Sequence, residues 1–261
     1  MYFIGLNFDL FHRSKRRLLY SDAVFAHAAI LEKISHQDPG LSQKIHDAQR
    51  TKGLTIGLLP INTTRTRLRL TLIGKNSVEI SNCIVNALKE ESSLRLGNIY
   101  CEVSNIALCS PPWHGINSWS DLLNPQLSQN IFFRFLTPTA IMKEDKFGNR
   151  FNHILPDPFI IFNGLYRKWS EFGGPTLRPG FLDDVRGGLC IPSTYKLHTE
   201  EIRLKEYLLI GVVGYICYTC RGADDPNLMH SLNCLSRFAN FAGVGYHTAQ
   251  GMGAVDSGGV S

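Results

Sequence analysis

Apolar and polar residues alternate along residues 2–10, and this alternation predicts a strand with one buried face. Residues 23–35 are rich in Ala, Leu and Glu, and Ser21 and Asp22 before them can cap a helix. The pattern then predicts, in order, a short helix at 41–49, strands at 54–61 and 66–74, a helix at 77–92 and a strand at 98–108. This order, β-α-β-β-α-β, is typical of a ferredoxin-like domain.

The same order of elements begins again after a segment that contains several Pro and Gly residues. The second half is predicted to hold a strand at 131–142, a helix at 157–172, a hairpin at 183–199, a long strand at 202–220, a helix at 227–241 and a last short strand at 253–256. The predicted fold class is therefore α+β, with two tandem ferredoxin-like (RRM-like, βαββαβ) domains. We place them at residues 1–110 and 127–261, joined by a linker at 111–126.

The excess of positive over negative charge in the chain lies entirely in its first part. The whole chain has 27 Lys and Arg against 22 Asp and Glu, and residues 1–110 carry 14 of the basic and 9 of the acidic residues. A cluster at Arg13, Lys15, Arg16 and Arg17 is either a solvated loop or a surface that meets phosphates. Arg65, Arg67 and Arg69 alternate along a predicted strand, which places them on one face of a sheet.

The cysteines and the apolar runs indicate a soluble, cytoplasmic protein without a metal site. Seven cysteines are scattered without the spacing of a disulfide framework, which favours a reducing compartment. Cys217 and Cys220 form one C-x-x-C, but in a strand they point to opposite faces, so we interpret both as packing residues. The apolar run at 208–218 is too short to span a bilayer, and no secretory signal precedes it.

Two G-x-G pairs, at Gly243/Gly245 and Gly251/Gly253, bracket five residues near the C-terminal end of the sequence. This spacing differs from the G-x-G-x-x-G of dinucleotide-binding domains and from the P-loop motif, which excludes a nucleotide-dependent enzyme of either type. Glycines allow close approach of a ligand and positive φ angles. We expect consecutive amides of this loop to point outward and to bind phosphate oxygens.

The pattern G-Φ-G-x-x-x-x-x-G-Φ-G, with Φ apolar, resembles the C-terminal signature of the RAMP superfamily. Within it the chain resembles the CRISPR-associated endoribonucleases that process repeat RNA, the sixth Cas family. Two further segments carry the likeness: the sequence FLTPT at 135–139 resembles the strand end that opens the second domain of the family, and Ile45-His46 before LTIGLLP resembles its catalytic segment. With the order of elements, the resemblance covers essentially the full length.

The resemblance implies cleavage of RNA without a metal ion or other cofactor. The 2′-hydroxyl attacks the adjacent phosphorus and leaves a 2′,3′-cyclic phosphate and a 5′-hydroxyl. Such a reaction needs a base for the 2′-hydroxyl, an acid for the leaving 5′-oxygen and a cation near the phosphorane. Histidine suits the first two roles because its pKa lies near neutral pH.

The resemblance assigns His46 to the catalytic position, and a second active-site residue of the family lies in the first helix, where this chain has His27. Periodicity alone would make His27 a packing residue and His46 a surface residue near a helix end. We prefer His46 as base and His27 as acid, and the reverse assignment stays open. Lys52 is the candidate cation, Arg50 can substitute for it, and Tyr20 is a further candidate.

The partner that the resemblance implies is CRISPR repeat RNA, as precursor and as product. Association with other Cas proteins and a homodimer stay open, and no membrane is implied. A noncatalytic RNA-binding RAMP subunit of an interference complex is the alternative function, and it would not need His46. The residues expected to bind RNA are Gly243, Gly245, His247, Gln250, Gly251, Gly253, Arg13, Arg16, Arg17, Arg65, Arg67 and Arg69.

Overall fold

The computed structural model describes residues 1–47, 53–109, 115–204, 207–221 and 224–257. Within these ranges two antiparallel sheets, each with helices packed on it, make up the chain, and a small separate hairpin adds a third sheet.

The first half builds the first sheet and the helices on its inner face. Its elements are β1 (Tyr2–His12), α1 (Ala23–Gln37), α2 (Pro39–Asp47), β2 (Leu54–Pro60), β3 (Arg65–Gly74), α3 (Ser77–Glu90), β4 (Ser93–Leu96), β5 (Ile99–Leu108), β6 (Ile116–Ser118) and α4 (Trp119–Leu122). The alternation predicted for β1 and β3 is present: Ile4, Leu6 and Phe8 are buried together with Leu68, Leu70 and Leu72 under α1 and α3.

The second half builds the second sheet, with α5 and α7 in its core. Its elements are β7 (Asn130–Thr139), β8 (Ile141–Glu144), β9 (Arg150–His153), α5 (Pro158–Glu171), α6 (Phe181–Asp184), β10 (Cys190–Leu204), β11 (Tyr207–Cys220), α7 (Pro226–Ala242) and β12 (Val255–Asp256). Asp157 and Asp225 start α5 and α7, because each carboxylate accepts hydrogen bonds from amides of the first turn.

The strand order confirms the predicted fold class. The first sheet has the order β2-β3-β1-β5-β4, with β6 also paired to β1, and the second has the order β10-β11-β7-β12. If the four strands of each βαββαβ unit are numbered in sequence, both sheets follow the order 2-3-1-4 of a ferredoxin-like domain. Two such units therefore stand in tandem.

The predicted hairpin at 183–199 and the single strand at 202–220 are wrong. Residues 181–189 form α6 and an irregular helical turn, and β10 and β11 pair with each other from Cys190↔Cys220 to Leu204↔Tyr207. The change of chain direction between β10 and β11 was not predicted, because neither Lys205 nor Glu206 is a Gly, Pro or Asn of the kind that marks a turn. Both residues lie outside the described residues. Cys217 and Cys220 lie on opposite faces of β11, and Cys220 is buried in the second core.

The predicted strand at 131–142 continues into a hairpin that the sequence pattern did not indicate. β8 pairs with β9 from Ile141↔His153 to Glu144↔Arg150. The turn between them is held by Asp145, whose carboxylate accepts hydrogen bonds from the amides of Phe147 and Asn149 at 2.8 and 2.9 Å. The turn-forming residues at 145–149 could therefore have predicted this hairpin from the sequence.

The segment predicted as a linker is packed against both halves where the structure describes it. β6 pairs with β1 from Tyr2↔Ser118 to Ile4↔Ile116, and Trp119 of α4 contacts the ring of Trp169 at 4.6 Å between centroids. The domain limits at 110 and 127 stay a prediction, and residues 110–114 lie outside the described ranges.

Asp22 has a different role from the predicted cap. It precedes α1, but its carboxylate accepts hydrogen bonds from the amide of Leu19 at 2.8 Å and from both terminal nitrogens of Arg16, at 2.7 and 2.9 Å. It therefore fixes the chain that leads into α1, and not the first turn of the helix itself.

The outer face of the first sheet is covered in part by α7 of the second half. Arg69 is 2% exposed and donates hydrogen bonds to the carbonyls of Asn240 and Val255, both at 2.7 Å. Thr71 donates to the carbonyl of Phe241 at 2.6 Å, and the ring of Phe3 packs among aromatic residues of the second core. The two ferredoxin-like units are thus joined by buried polar contacts and by a shared aromatic core.

In the parts of the chain that the structure describes, no helix combines the length and the hydropathy needed to cross a membrane.

Replacing Arg69 by Met is expected to lower the free energy of unfolding by about 3 kcal/mol, because two buried carbonyls lose charged donors. Arg67→Met is the matched control on the same strand and face. Arg67 pairs with Asp9 at 2.8 Å, its side chain is 45% exposed, and its loss should cost less than about 1 kcal/mol. Urea unfolding followed by circular dichroism measures both values, and equal losses would contradict the structural role of Arg69.

Candidate active site between the two domains

The loop that holds the two G-x-G pairs packs tightly between the two halves. A Cβ atom at Gly251 would lie 2.1 Å from the Cβ of Ala23 at the start of α1, and Gly251 has a φ of +97°. A Cβ atom at Gly253 would lie 2.0 Å from the carbonyl oxygen of Val244. Both positions require glycine, because any other residue would add a Cβ atom that collides with these neighbours at a strained, positive φ angle.

Many amides of this loop are bonded within the protein. Val244 donates to Gly253 O at 2.8 Å, Tyr246 to Ala140 O at 2.9 Å, and Gly253 to Pro138 O at 3.1 Å. The amide of Ala254 donates to the hydroxyl of Thr137 at 3.0 Å. The expectation that consecutive amides of the loop point outward is wrong for these residues, since the amides tie the loop to the FLTPT strand end. The glycines therefore shape the loop and seat it.

A cleft of about 400 Å³ lies between this loop and the first domain. It is lined by His27 of α1, by Thr55 of β2, by His247 and Gln250 of the loop, and by Lys168 of α5. The cleft thus brings together two imidazoles and one ammonium group from separate parts of the sequence. This is the set of side chains that acid–base chemistry beside a charged substrate requires.

His247 is held in an unusual backbone conformation within the cleft. Its φ is +56°, and its ring lies against that of Tyr246 with 3.8 Å between the centroids. Burial lowers the pKa of His247, and a side-chain hydrogen bond with Gln250 opposes this shift. Burial thus disfavours the charged form of this imidazole.

Lys168 is fixed at the point where α7 ends and the glycine loop begins. Its ammonium group donates hydrogen bonds to the carbonyl oxygens of Ala242 at 2.9 Å and of Gly243 at 3.1 Å. These carbonyls form the negative end of the α7 dipole, where a cation is stabilised. Burial nevertheless lowers the pKa of Lys168 to about 8, with the charge of Glu171 acting in the opposite direction.

Of the two predicted catalytic histidines, the structure places one in the cleft. His27 is half-buried and lines it. His46 lies near the C-terminal end of α2, its side chain is 68% exposed, and its Nδ1 is 3.1 Å from the carboxylate of Asp47. His46 is not among the residues that line the cleft, and its catalytic role stays a prediction.

Lys52 and Arg50 lie outside the described residues, so the predicted cation has no structural account. The next residue described, Gly53, does line the cleft. Tyr20 is half-buried beside α1, away from the set that lines the cleft, and burial raises its pKa, assisted by the charge of Glu200.

The arginines predicted to bind RNA are exposed except for Arg69, and three of the exposed ones also contact other groups of the protein. Arg13, Arg65 and Arg67 are exposed, and Arg67 also pairs with Asp9. Arg16 is held by Asp22, and Arg17 donates a hydrogen bond to the carbonyl of Pro60 at 2.8 Å. Arg69 is buried under α7 and cannot reach RNA, which corrects the prediction for this residue. The three arginines of β3 do alternate along one face of the first sheet, but the second domain covers the end of that face where Arg69 lies.

Lys168 was missed by the sequence analysis. It lies within a predicted amphipathic helix, 75 residues before Gly243 in the sequence, and no local motif marks it. Only the packing of α5 beside the end of α7 brings its ammonium group into the cleft.

Comparison with known proteins gives one family and a set of solved structures. Residues 133–255 match the family model described as CRISPR-associated endoribonuclease Cas6. Comparison with curated protein sequences gives no significant match.

Several similar structures cover nearly the whole chain. A product complex of Cas6 (TTHB231) from Thermus thermophilus has 25% sequence identity and a TM-score of 0.83, with 98% of each chain covered. A product complex of Cas6 (TTHA0078) has 21% identity and a TM-score of 0.79, covering 99% of this chain and 100% of the other. A Cas6-related protein from Pyrococcus furiosus has 12% identity and a TM-score of 0.61, covering 99% and 100%.

The family match covers the strand end, α5, α7 and the glycine loop, and the structural match extends the likeness to the first domain and α1. The fold, the loop and the full-length likeness agree: residues 133–255 match the family of CRISPR-associated endoribonucleases Cas6, and nearly the whole chain is similar in structure to Cas6 proteins.

Proposed function

We propose that this protein cleaves CRISPR precursor transcripts within their repeats and so produces guide RNAs, by a reaction that needs no metal ion. In this reaction the 2′-hydroxyl attacks the adjacent phosphorus, the bond from phosphorus to the 5′-oxygen breaks, and a 2′,3′-cyclic phosphate and a 5′-hydroxyl remain. The observation that carries the proposal is the cleft that is lined by His27 of the first domain and by His247 and Lys168 of the second.

The side chains of the cleft match the needs of this reaction. A neutral imidazole can take the proton of the 2′-hydroxyl, and an imidazolium can give a proton to the leaving 5′-oxygen. We propose one of these two roles for His27, which lines the cleft, and the other for His46, which lies outside it near the end of α2.

The RNA is proposed to lie along the boundary between the domains. His247 and Gln250 line the cleft, and Arg13, Arg17, Arg65 and Arg67 are exposed on the first domain. Similar Cas6 proteins were solved as a product complex and as a substrate mimic complex, and a RAMP protein of the same fold binds different RNA substrates. These relatives support repeat RNA as the partner of this chain.

The chemistry of cleavage can be tested with an RNA that lacks the attacking hydroxyl. In excess EDTA the protein should cleave a labelled repeat RNA and should bind, without cleaving, a copy that is deoxy at the scissile 2′ position. The reason is that the nucleophile is the 2′-hydroxyl of the RNA itself. Gel analysis of the ends should show a cyclic phosphate and a 5′-hydroxyl.

Two outcomes would contradict this chemistry. Cleavage of the deoxy copy would show that another nucleophile attacks the phosphorus. Tight binding of both RNAs with cleavage of neither would favour the noncatalytic RNA-binding subunit.

The second prediction concerns the histidines. His27→Ala should slow single-turnover cleavage by roughly 10²- to 10⁴-fold, because a general acid or base contributes about this factor. His46→Ala should have an effect of the same order, and both variants should bind the deoxy RNA as the wild type does. His36→Ala is the matched control, since His36 is an exposed histidine near the end of the same helix as His27. Full activity of His27→Ala would remove His27 from the proposed mechanism.

The third prediction concerns the seat of the glycine loop. Gly251→Ala should reduce cleavage at least tenfold, because the new methyl group would collide with Ala23 and move the loop away from α1. Gly187→Ala is the control, since nothing lies within 4 Å of a Cβ at that position. Wild-type cleavage by Gly251→Ala would show that the loop tolerates the displacement.

A further inference from the structure

The charge that the cleavage reaction develops needs a fixed cation. When the 2′-oxygen adds to phosphorus, the phosphorane carries more negative charge than the phosphodiester did, and a preorganised cation is the strongest means of stabilising it. Within the described ranges, the residues that line the cleft include no arginine and only one lysine, Lys168.

The ammonium group of Lys168 is held in place by hydrogen bonds to the start of the glycine loop. An ammonium group has three donors, and two of them are bonded to the carbonyls of Ala242 and Gly243 at 2.9 and 3.1 Å. These two bonds fix the Nζ atom at the root of the glycine loop and leave one donor. The loop residues Gly245, Tyr246 and His247 line the cleft beside it.

Lys168 lines a second, neighbouring cavity of about 630 Å³ as well as the cleft. That cavity is lined by Arg167 and Glu171 of the same helix and by Gly243 and Tyr246 of the loop. Lys168 and Tyr246 line both spaces, whereas Arg167 lines only the neighbouring one. Lys168 therefore lies where the two spaces border each other, whereas Arg167 belongs to the neighbouring cavity alone.

We propose that Lys168, a residue of the second domain, supplies the positive charge that stabilises the phosphorane during cleavage. This inference rests on the proposed function. Lys168 moves no proton in the reaction: the base takes the proton of the 2′-hydroxyl, the acid protonates the 5′-oxygen, and the ammonium group remains charged throughout. It takes the role that the sequence analysis gave to Lys52.

Burial of Lys168 gives the proposal a pH dependence. The charged and titratable groups that line the same two spaces are His27, Tyr246 and His247, together with Arg167 and Glu171 on the helix of Lys168. Because its pKa is lowered to about 8, the ammonium group is charged below that pH and loses its charge as the pH rises through it. The advantage of the wild type over a neutral variant should therefore be largest below pH 8 and shrink above it.

The test compares variants at Lys168 by single-turnover cleavage of repeat RNA under saturating protein. Lys168→Gln keeps hydrogen-bond donors for the two carbonyls and removes the charge, and we expect a loss of roughly 10²-fold. Lys168→Arg keeps the charge and should recover part of the rate, and its remaining activity should not fall through pH 8. Arg167→Gln removes a charge from the adjacent position of the same helix and should cleave within threefold of the wild type.

Binding and folding are measured on the same variants. Affinity for the 2′-deoxy RNA and the thermal midpoint should stay near wild-type values in Lys168→Gln, so that the loss lies in the chemical step. If Lys168→Gln cleaves at the wild-type rate while Lys168→Met fails, the residue only holds the carbonyls and the proposal is overturned. Weaker RNA binding with an unchanged rate of bound RNA would overturn it as well.

The outcome for Lys52 separates the two candidates. If Lys52→Gln loses 10²-fold and Lys168→Gln loses nothing, the cation comes from the first domain and the inference fails while the proposed function stands. If the wild-type protein does not cleave repeat RNA at all, the proposed function itself fails.

Discussion

The contact of the first sheet with α7 is the constraint on which the rest of the structure depends. Arg69 places a guanidinium between the carbonyls of Asn240 and Val255, and Thr71 bonds the carbonyl of Phe241. These bonds lie on either side of the glycine loop in the sequence, before it at 240–241 and after it at 255. Since a buried arginine is stable only when its donors are satisfied, the contact fixes how the two ferredoxin-like units sit on each other.

The glycine loop exploits this fixed arrangement. With its two ends anchored to the first sheet, its middle is pressed against α1 at Gly251 and against the FLTPT strand end through the amides of Tyr246 and Gly253. The loop therefore has little freedom, and His247 is kept at a positive φ in the cleft that His27 also lines. A rigid frame of this kind places reacting groups before the substrate arrives, and enzymes depend on such preorganisation for catalysis.

The cleft is a product of both domains. The first contributes His27 and Thr55, and the second contributes Lys168, His247 and Gln250. A site assembled across a domain boundary has two consequences. Each domain alone lacks part of the charge and acid–base set, and any change that loosens the boundary alters the relative position of the imidazole and the ammonium group.

The sequence by itself determined the fold class, because alternation and helical spacing report which face of each element is buried. It also determined the glycine loop, since four glycines at that spacing are needed for turns that no other residue can make, as at Gly251 and Gly253. Only the tertiary structure decided which charged residues are available. Arg69 and Arg67 have the same pattern on one strand, yet α7 buries the first and leaves the second exposed. Lys168 has no local signal, because its surroundings come from residues 75 positions away that meet it only when α5 and α7 pack together.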